Sequence, residues 1–322
     1  MKENIIADTV LMIEPIAFGF NKQTAMDNLF QENDSVSPKI IQEHASKEFN
    51  CMVNELIKSG IEVIQIKDTH EPHTPDSIFP NNWVSFHSDG TVVLYPMYAE
   101  NRRDERREDI LKSIENKGFY INQIIDYTQA EKENLYLEGT GSMVLDRENK
   151  IAYASLSERT NEFIFLEFCE EMGYTPITFH ALQEIGDKKF PIYHTNVMMG
   201  VCKGFCLICL ETIHNEEEKR KVVNSLKSTG KEIIPISIHQ MKQFLGNHLQ
   251  LKSKIDGTRY LVVSQTAYQS ITQEQLKKIK NYTEIIVCNI PTIEKYGGGG
   301  VRCMLAEIFL PKAIDKDCKF FA

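Results

Sequence analysis

One unit recurs along the chain. Ser37-Pro38 reads as an N-cap followed by proline at the first helical position. Ile41, Ala45, Phe49, Met52 and Leu56 then line one helical face until Gly60. Residues 61–67 follow as a strand with apolar side chains on both faces, which predicts burial on both sides. A hairpin comes next, over 83–86 and 91–95 around Ser88-Asp89-Gly90. The same order returns as a charged helix over 101–116, a strand over 120–125 and a hairpin over 142–154. It returns again after Ser157, after Asn215 and after Thr272. The helix-ending glycines Gly60, Gly118, Gly173 and Gly230 step by 58, 55 and 57 residues. The fifth unit offers only one more strand, over 301–309, and its partner is expected at the other end of the chain, over 9–14. That pairing would close a ring and remove the exposed strand edges. The repeat therefore predicts an α/β fold of five helix-and-strand modules about a pseudo-fivefold axis, helices outside. Residues 1–322 are expected to form one domain, although 322 residues alone suggest about two.

Composition narrows the function classes. Apolar residues make up 42% and charged residues 25%, which supports a large core and argues against disorder. The 36 Lys and Arg against 45 Asp and Glu leave a formal charge of −9, unsuited to coating nucleic acid. No apolar run reaches the ~18 residues of a membrane span. Met1 to Asp8 holds no signal-peptide run. Eight cysteines, Cys318 among them, are scattered over a long chain and read as reduced thiols in a cytoplasmic protein. Cys51, Cys169, Cys202 and Cys288 are expected to be small buried hydrophobes. Cys206 and Cys209 have a CxxC spacing, but lie within an apolar strand that sends them to opposite faces. Homo-oligomer formation is left open.

The unusual residues fall at one place in each unit, where the first hairpin strand is expected to begin. They are Asn81 and Asn82, then Glu138, then His194 and Asn196, then Asn247 and His248, then Cys303. A shared axis would bring a thiol, an imidazole and a carboxylate together, as a nucleophile, a proton carrier and an orienting charge. Cys303 follows four glycines, Gly297 to Gly300, a backbone free to pass close to a ligand. A free thiol with pKa ~8.5 needs activation at neutral pH. By spacing alone His194 and Glu138 also read as a satisfied structural histidine and a turn residue, and no metal-ligand spacing surrounds them.

These motifs make the chain similar to the guanidine-modifying superfamily of arginine deiminases, dimethylarginine dimethylaminohydrolases, agmatine deiminases and amidinotransferases. It most resembles the branch called citrulline-utilisation hydrolases. The resemblance runs from Thr9 to Pro311 and implies a five-bladed α/β propeller, the pentein fold. Gly298-Gly299-Gly300-Val301-Arg302-Cys303 resembles the nucleophile loop, His194 the general acid/base and Glu138 its acidic partner. Arg159, and Arg102 within Arg102-Arg103-Asp104-Glu105, resemble arginines that hold a substrate α-carboxylate; the second run also reads as a solvated helix face. The stretch from Pro75 to Asn82 resembles the loop that binds the substrate amino group, with Asp76 at the matching aspartate. Three positions depart from the pattern. Asn82 and Asn196 stand where guanidinium-binding members have Asp, and Gly141 replaces another Asp. Carboxylates pair with a guanidinium, whereas a neutral amide suits a ureido group.

The expected activity is thus cysteine-dependent hydrolysis at the terminal C–N centre of an arginine-like amino acid, citrulline favoured, without metal or organic cofactor. Arginine deimination, dimethylarginine hydrolysis and amidino transfer on the same residues are the near alternatives. A non-catalytic propeller that binds a partner is the distant one. Phe18-Gly19-Phe20-Asn21 is a candidate lid.

Overall fold

The computed structural model describes residues 5–312; Cys318 and the first four residues lie outside them. Five three-stranded sheets follow one another, each an antiparallel pair extended by a parallel third strand. The second pairs Val84–Phe86 with Thr91–Leu94 and then with Gln123–Asp126. The third joins Val144–Asp146, Ile151–Ser155 and Thr175–Phe179. The fourth joins Met199–Val201, Phe205–Ile208 and Glu232–Pro235. The fifth joins Leu249–Lys252, Arg259–Ser264 and Glu284–Cys288. The first sheet draws on both ends of the chain. Thr9–Glu14 runs parallel to Glu62–Lys67 and antiparallel to Ala306–Glu307, with Val10 opposite Glu307 and Leu11 opposite Ala306. The structural unit is therefore hairpin, helix, strand rather than helix, strand, hairpin. The strand after each helix returns to the hairpin before it.

Local chemistry sets the helix limits. Pro38–Lys58 begins where the Ser37 hydroxyl accepts from the Ile40 amide. Asn161 and Asn215 cap Glu162–Met172 and Glu216–Ser228, and Thr272 opens Gln273–Lys280 with a capping box. The four helix-ending glycines all have φ between +69° and +83°, a region other residues enter at a cost.

Several expectations are corrected. The strand at 61–67 is not buried on both sides; as an edge strand Glu62–Lys67 exposes Gln65 and Lys67, while the central Thr9–Glu14 is the buried one. The helix expected over 101–116 breaks into Glu100–Arg103 and Glu108–Asn116, because Arg102 and Arg106 turn inward to Glu105 and Glu131. The strand expected over 120–125 narrows to Gln123–Asp126. That expected over 301–309 shrinks to Ala306–Glu307, since 301–304 form a turn. Cys51 is exposed on Pro38–Lys58, whereas Cys169, Cys202, Cys206, Cys209 and Cys288 are buried free thiols. No helix among the described residues is long and apolar enough to cross a membrane.

Candidate active site

Each unit places a short turn before its first strand. Asn82 ends the turn Pro80–Asn82, Glu138 and His194 precede Gly139–Ser142 and Thr195–Met198, and Cys303 sits inside the turn at 301–304. Buried amides link these turns in sequence. Asn81 Nδ2 donates to Thr140 Oγ1 at 3.3 Å, Asn196 Nδ2 to the Thr140 carbonyl at 3.2 Å, and Asn247 Nδ2 to the Asn196 carbonyl at 3.2 Å. Asn247 Oδ1 then accepts from the Arg302 amide at 3.0 Å. Consecutive units are thereby fixed relative to one another at the level of the candidate site.

A cavity of about 10 Å³ is lined by Asp76, Asn82, Arg102, Arg159, His194 and Cys303, among others. That is room for about one water, far below the roughly 300–1,000 Å³ of ligand pockets. Cys303 is 3% exposed. Its Sγ lies 3.2 Å from Asn247 Nδ2 and 3.7 Å from Asn196 Nδ2. Burial raises the thiol pKa, opposed by the Asn247 contact and by Arg302. The glycine run packs tightly against the protein itself: a Cβ at Gly297 would meet the Phe79 ring at 2.7 Å, and one at Gly300 the Asn247 Oδ1 at 2.8 Å.

Glu138 is fully buried, and its Oε2 lies 2.8 Å from His194 Nε2 while Oε1 accepts from the Tyr98 amide at 2.9 Å. Burial alone would raise the Glu138 pKa, but Arg159, His194 and Arg102 hold the carboxyl well below its ordinary range. Burial outweighs Glu138 at His194 and lowers the imidazole pKa. A neutral His194 facing an ionised carboxylate carries its proton on Nε2, which leaves Nδ1 as an acceptor. A Cβ at Gly141 would lie 2.8 Å from that Nδ1 and 2.4 Å from Asn82 Nδ2, so glycine keeps both groups accessible.

Arg102 does not lie on a solvated helix face. It is 2% exposed, and four of its five N–H donors are engaged. Glu105, a residue the sequence did not single out, takes Nε and Nη2 at 2.8 and 2.9 Å. The Phe79 carbonyl also accepts from Nη2, and Asn82 Oδ1 accepts from Nη1 at 2.8 Å. Because Arg102 can only donate, Asn82 must turn its oxygen to it, leaving Asn82 Nδ2 a buried donor with no partner among the described residues.

The distal groups are covered by the segment 21–31. Asp76 Oδ2 accepts from Asn21 Nδ2 at 2.7 Å and Thr24 Oγ1 at 3.0 Å, while its Oδ1 has no partner among the described residues. Burial raises the Asp76 pKa against the pull of Arg102 and those two donors. Arg159 forks onto the Asp27 carboxylate and donates to the Thr24 carbonyl at 2.9 Å. Gln31 Nε2 reaches the Gly297 carbonyl at 3.1 Å. The candidate lid at 18–21 marks only the start of this cover. Asp27 gave no signal in sequence, since it lies between units. Asn81 does not line the cavity and serves the link to Thr140. His248 Nδ1 donates to the Leu245 carbonyl at 2.9 Å, and its Nε2 is buried with no partner among the described residues. Among the described residues no three His, Cys, Asp or Glu side chains are grouped to hold a metal ion.

The profile of the family described as N,N dimethylarginine dimethylhydrolase, eukaryotic, matches residues 14–310. No curated protein matches by sequence. Among solved structures, the chain is similar to the apo form of ArgZ, an arginine dihydrolase from the ornithine–ammonia cycle in cyanobacteria. The TM-score is 0.71 at 16% identity, over 95% of this chain and 41% of that one. The chain thus spans about two fifths of that protein, but 99% of the product-bound N-terminal domain of ArgZ, at a TM-score of 0.68 and 16% identity over 94% of this chain. It is also similar to the dimethylarginine hydrolase of Pseudomonas aeruginosa complexed with citrulline, at a TM-score of 0.64 and 14% identity over 94% of this chain and all of that one. At these identities the likeness shows a shared mixed α/β fold. With the profile spanning nearly the whole chain, the protein belongs to the dimethylarginine dimethylhydrolase family of the guanidine-modifying superfamily.

Proposed function

We propose that this chain hydrolyses citrulline to ornithine, ammonia and carbon dioxide through a covalent intermediate on Cys303. The observation that carries the reading is Asn82. Its amide is turned by Arg102 so that an unpartnered N–H lies beside Gly141 and His194. A ureido group offers a carbonyl oxygen to that donor; a guanidinium offers only donors. Asn196 Nδ2 is tied to the Thr140 carbonyl, and its Oδ1, 4.0 Å from Cys303 Sγ, is the atom that would accept a substrate N–H.

In this reading the Cys303 proton passes to His194 Nδ1 as sulfur attacks the ureido carbon. His194 returns the proton to the leaving δ-nitrogen, releasing ornithine and a carbamoyl thioester. Water, deprotonated by His194, then cleaves the thioester, and the carbamate decomposes to ammonia and carbon dioxide. Glu138 holds the imidazole and stabilises its charged form. Asp76 Oδ1 takes the substrate ammonium, and Arg159 takes the α-carboxylate once Asp27 withdraws. Arg102 orients Asn82 rather than clamping the carboxylate. The five linked sheets and the paired terminal strands support a five-bladed propeller in which residues 1–322 form one catalytic domain. A cytoplasmic setting agrees with the free thiols.

The test incubates the protein with citrulline, arginine, dimethylarginine and agmatine and identifies products by mass spectrometry. Ornithine from citrulline is expected. Citrulline from arginine, with added citrulline untouched, would overturn the reading. Asn82→Asp should shift kcat/KM from ureido toward guanidino compounds by about tenfold or more, since one lost charge-matched hydrogen bond is worth roughly 1.5–3 kcal/mol.

A further inference from the structure

A second cavity, of about 590 Å³, shares the covering segment with the candidate active site. Leu29, Phe30 and Glu32 line it, while Thr24 and Asn28, just before them, line the catalytic cavity. Its size is that of a small-molecule site. Two polar side chains on its wall, Gln183 and Glu294, are each 4% exposed, and Gln183 Nε2 and Glu294 Oε1 are buried without a hydrogen-bond partner among the described residues. The other Glu294 oxygen accepts from Thr266 Oγ1 at 2.7 Å. Buried orphans of this kind are costly and call for a partner. Leu29, Phe30, Phe244 and Pro291 give the wall an apolar part, beside charged and polar residues that include Lys242 and Lys295.

We infer that this cavity binds a free α-amino acid with an apolar side chain, and that its occupant opposes substrate binding. Gln183 Nε2 is a donor and takes a carboxylate oxygen, Glu294 Oε1 is an acceptor and takes an ammonium, and the aromatic wall takes the side chain. Lys242, which also lines the cavity, adds positive charge for the carboxylate. The coupling follows from the shared wall. Phe30 packs edge-on against Tyr193 at 6.3 Å and lies tilted against Phe244 at 5.6 Å. Tyr193 precedes His194 and donates through its hydroxyl to the Gly298 carbonyl at 2.8 Å. The cavity is formed with the segment closed, whereas an amino-acid substrate does not fit a 10 Å³ space. A ligand that prefers the closed arrangement must weaken substrate binding by the same factor that substrate weakens its own. This coupling rests on the reading of the first site given above; the binding does not.

Isothermal titration calorimetry of the full chain with L-phenylalanine and L-leucine tests the binding, with L-ornithine as a polar control. Saturable binding of an apolar amino acid, at least tenfold tighter than ornithine, is expected. Glu294→Gln and Gln183→Leu should each weaken it at least tenfold, with circular dichroism confirming that the variants fold. Cys303→Ser, which does not touch the covering segment's hydrogen bonds, should leave it intact. No saturable heat, or binding indifferent to both cavity variants, would overturn the site. In turnover assays the ligand should raise KM for citrulline at unchanged kcat, and an unchanged KM with the ligand bound would overturn the coupling. If none of the four substrates turns over, the proposed reaction fails, and the calorimetry still decides the site.

Discussion

Burial holds the Cys303 thiol above its ordinary pKa, and the Asn247 amide at 3.2 Å, followed by Arg302, pulls it back. The free enzyme therefore stores a protonated thiol beside a neutral imidazole. Alkylation of the Cys303 peptide by iodoacetamide, followed by mass spectrometry, should keep rising with pH beyond the ordinary thiol range instead of levelling near neutrality. Asn247→Ala removes a donor to the sulfur and should move that profile further up. A shift of one pKa unit slows alkylation at pH 8 about tenfold. A profile that does not move would show that Asn247 only ties the turns together. That Cys303 and His194 meet at one cavity, with Glu138 against His194, was legible because equivalent positions in a repeat converge. The role of Asn247 was not, since an asparagine at the start of a strand has no chemical signature until its neighbour is known. Arg102 and Glu105 were equally hidden. A charged run in sequence looks solvated, and only packing shows that the two side chains fold inward as a pair.

The segment 21–31 occupies the groups assigned to the far end of the substrate. Asn21 and Thr24 hold Asp76, and Asp27 presents a carboxylate to Arg159 where an α-carboxylate would sit. Substrate binding then pays for opening, and its apparent affinity falls with the fraction of open protein. Asp27→Asn keeps the size of the side chain but removes the competing charge. The KM for citrulline should drop by roughly three- to tenfold, with a smaller effect on kcat, as steady-state kinetics would report. A raised KM would instead make Asp27 part of the binding site. At this scale the sequence was legible wherever local chemistry decides the outcome. Ser37, Asn215 and Thr272 start helices as caps should, while the helix expected after Ser157 starts at the next cap, Asn161. It failed where tertiary contacts decide, at the break before Glu108 and the turn that carries Cys303 in place of a strand. The cover itself has no periodicity and no repeat partner to betray it.

The five units share buried side chains rather than merely adjoining one another. Leu11, at one end of the chain, is fully buried in a cluster with Trp83 and Ile110 of the second unit and with Ala306 and Ile308 at the other end. The terminal strands pair within the same sheet, so opening that sheet exposes the core of two units and frees the turn that carries Cys303. The repeat made this closure legible, because a single leftover strand at each end has only the other to pair with. If the units unfold together, loss of a contact in the first sheet must be felt by all five. Leu11→Ala should destabilise the protein by about 2–5 kcal/mol, the range for a buried leucine truncated to alanine. Far-ultraviolet circular dichroism reports the helices of every unit. Fluorescence reports Trp83 alone, the one tryptophan of the chain. In urea the two curves should coincide for the parent protein and move to lower denaturant together in Leu11→Ala. Separated curves, with Trp83 lost before the helical signal, would mean that the sheets are independently stable. The single-domain reading of residues 1–322 would then fail, and the regular spacing of the turns at the candidate site would need another cause.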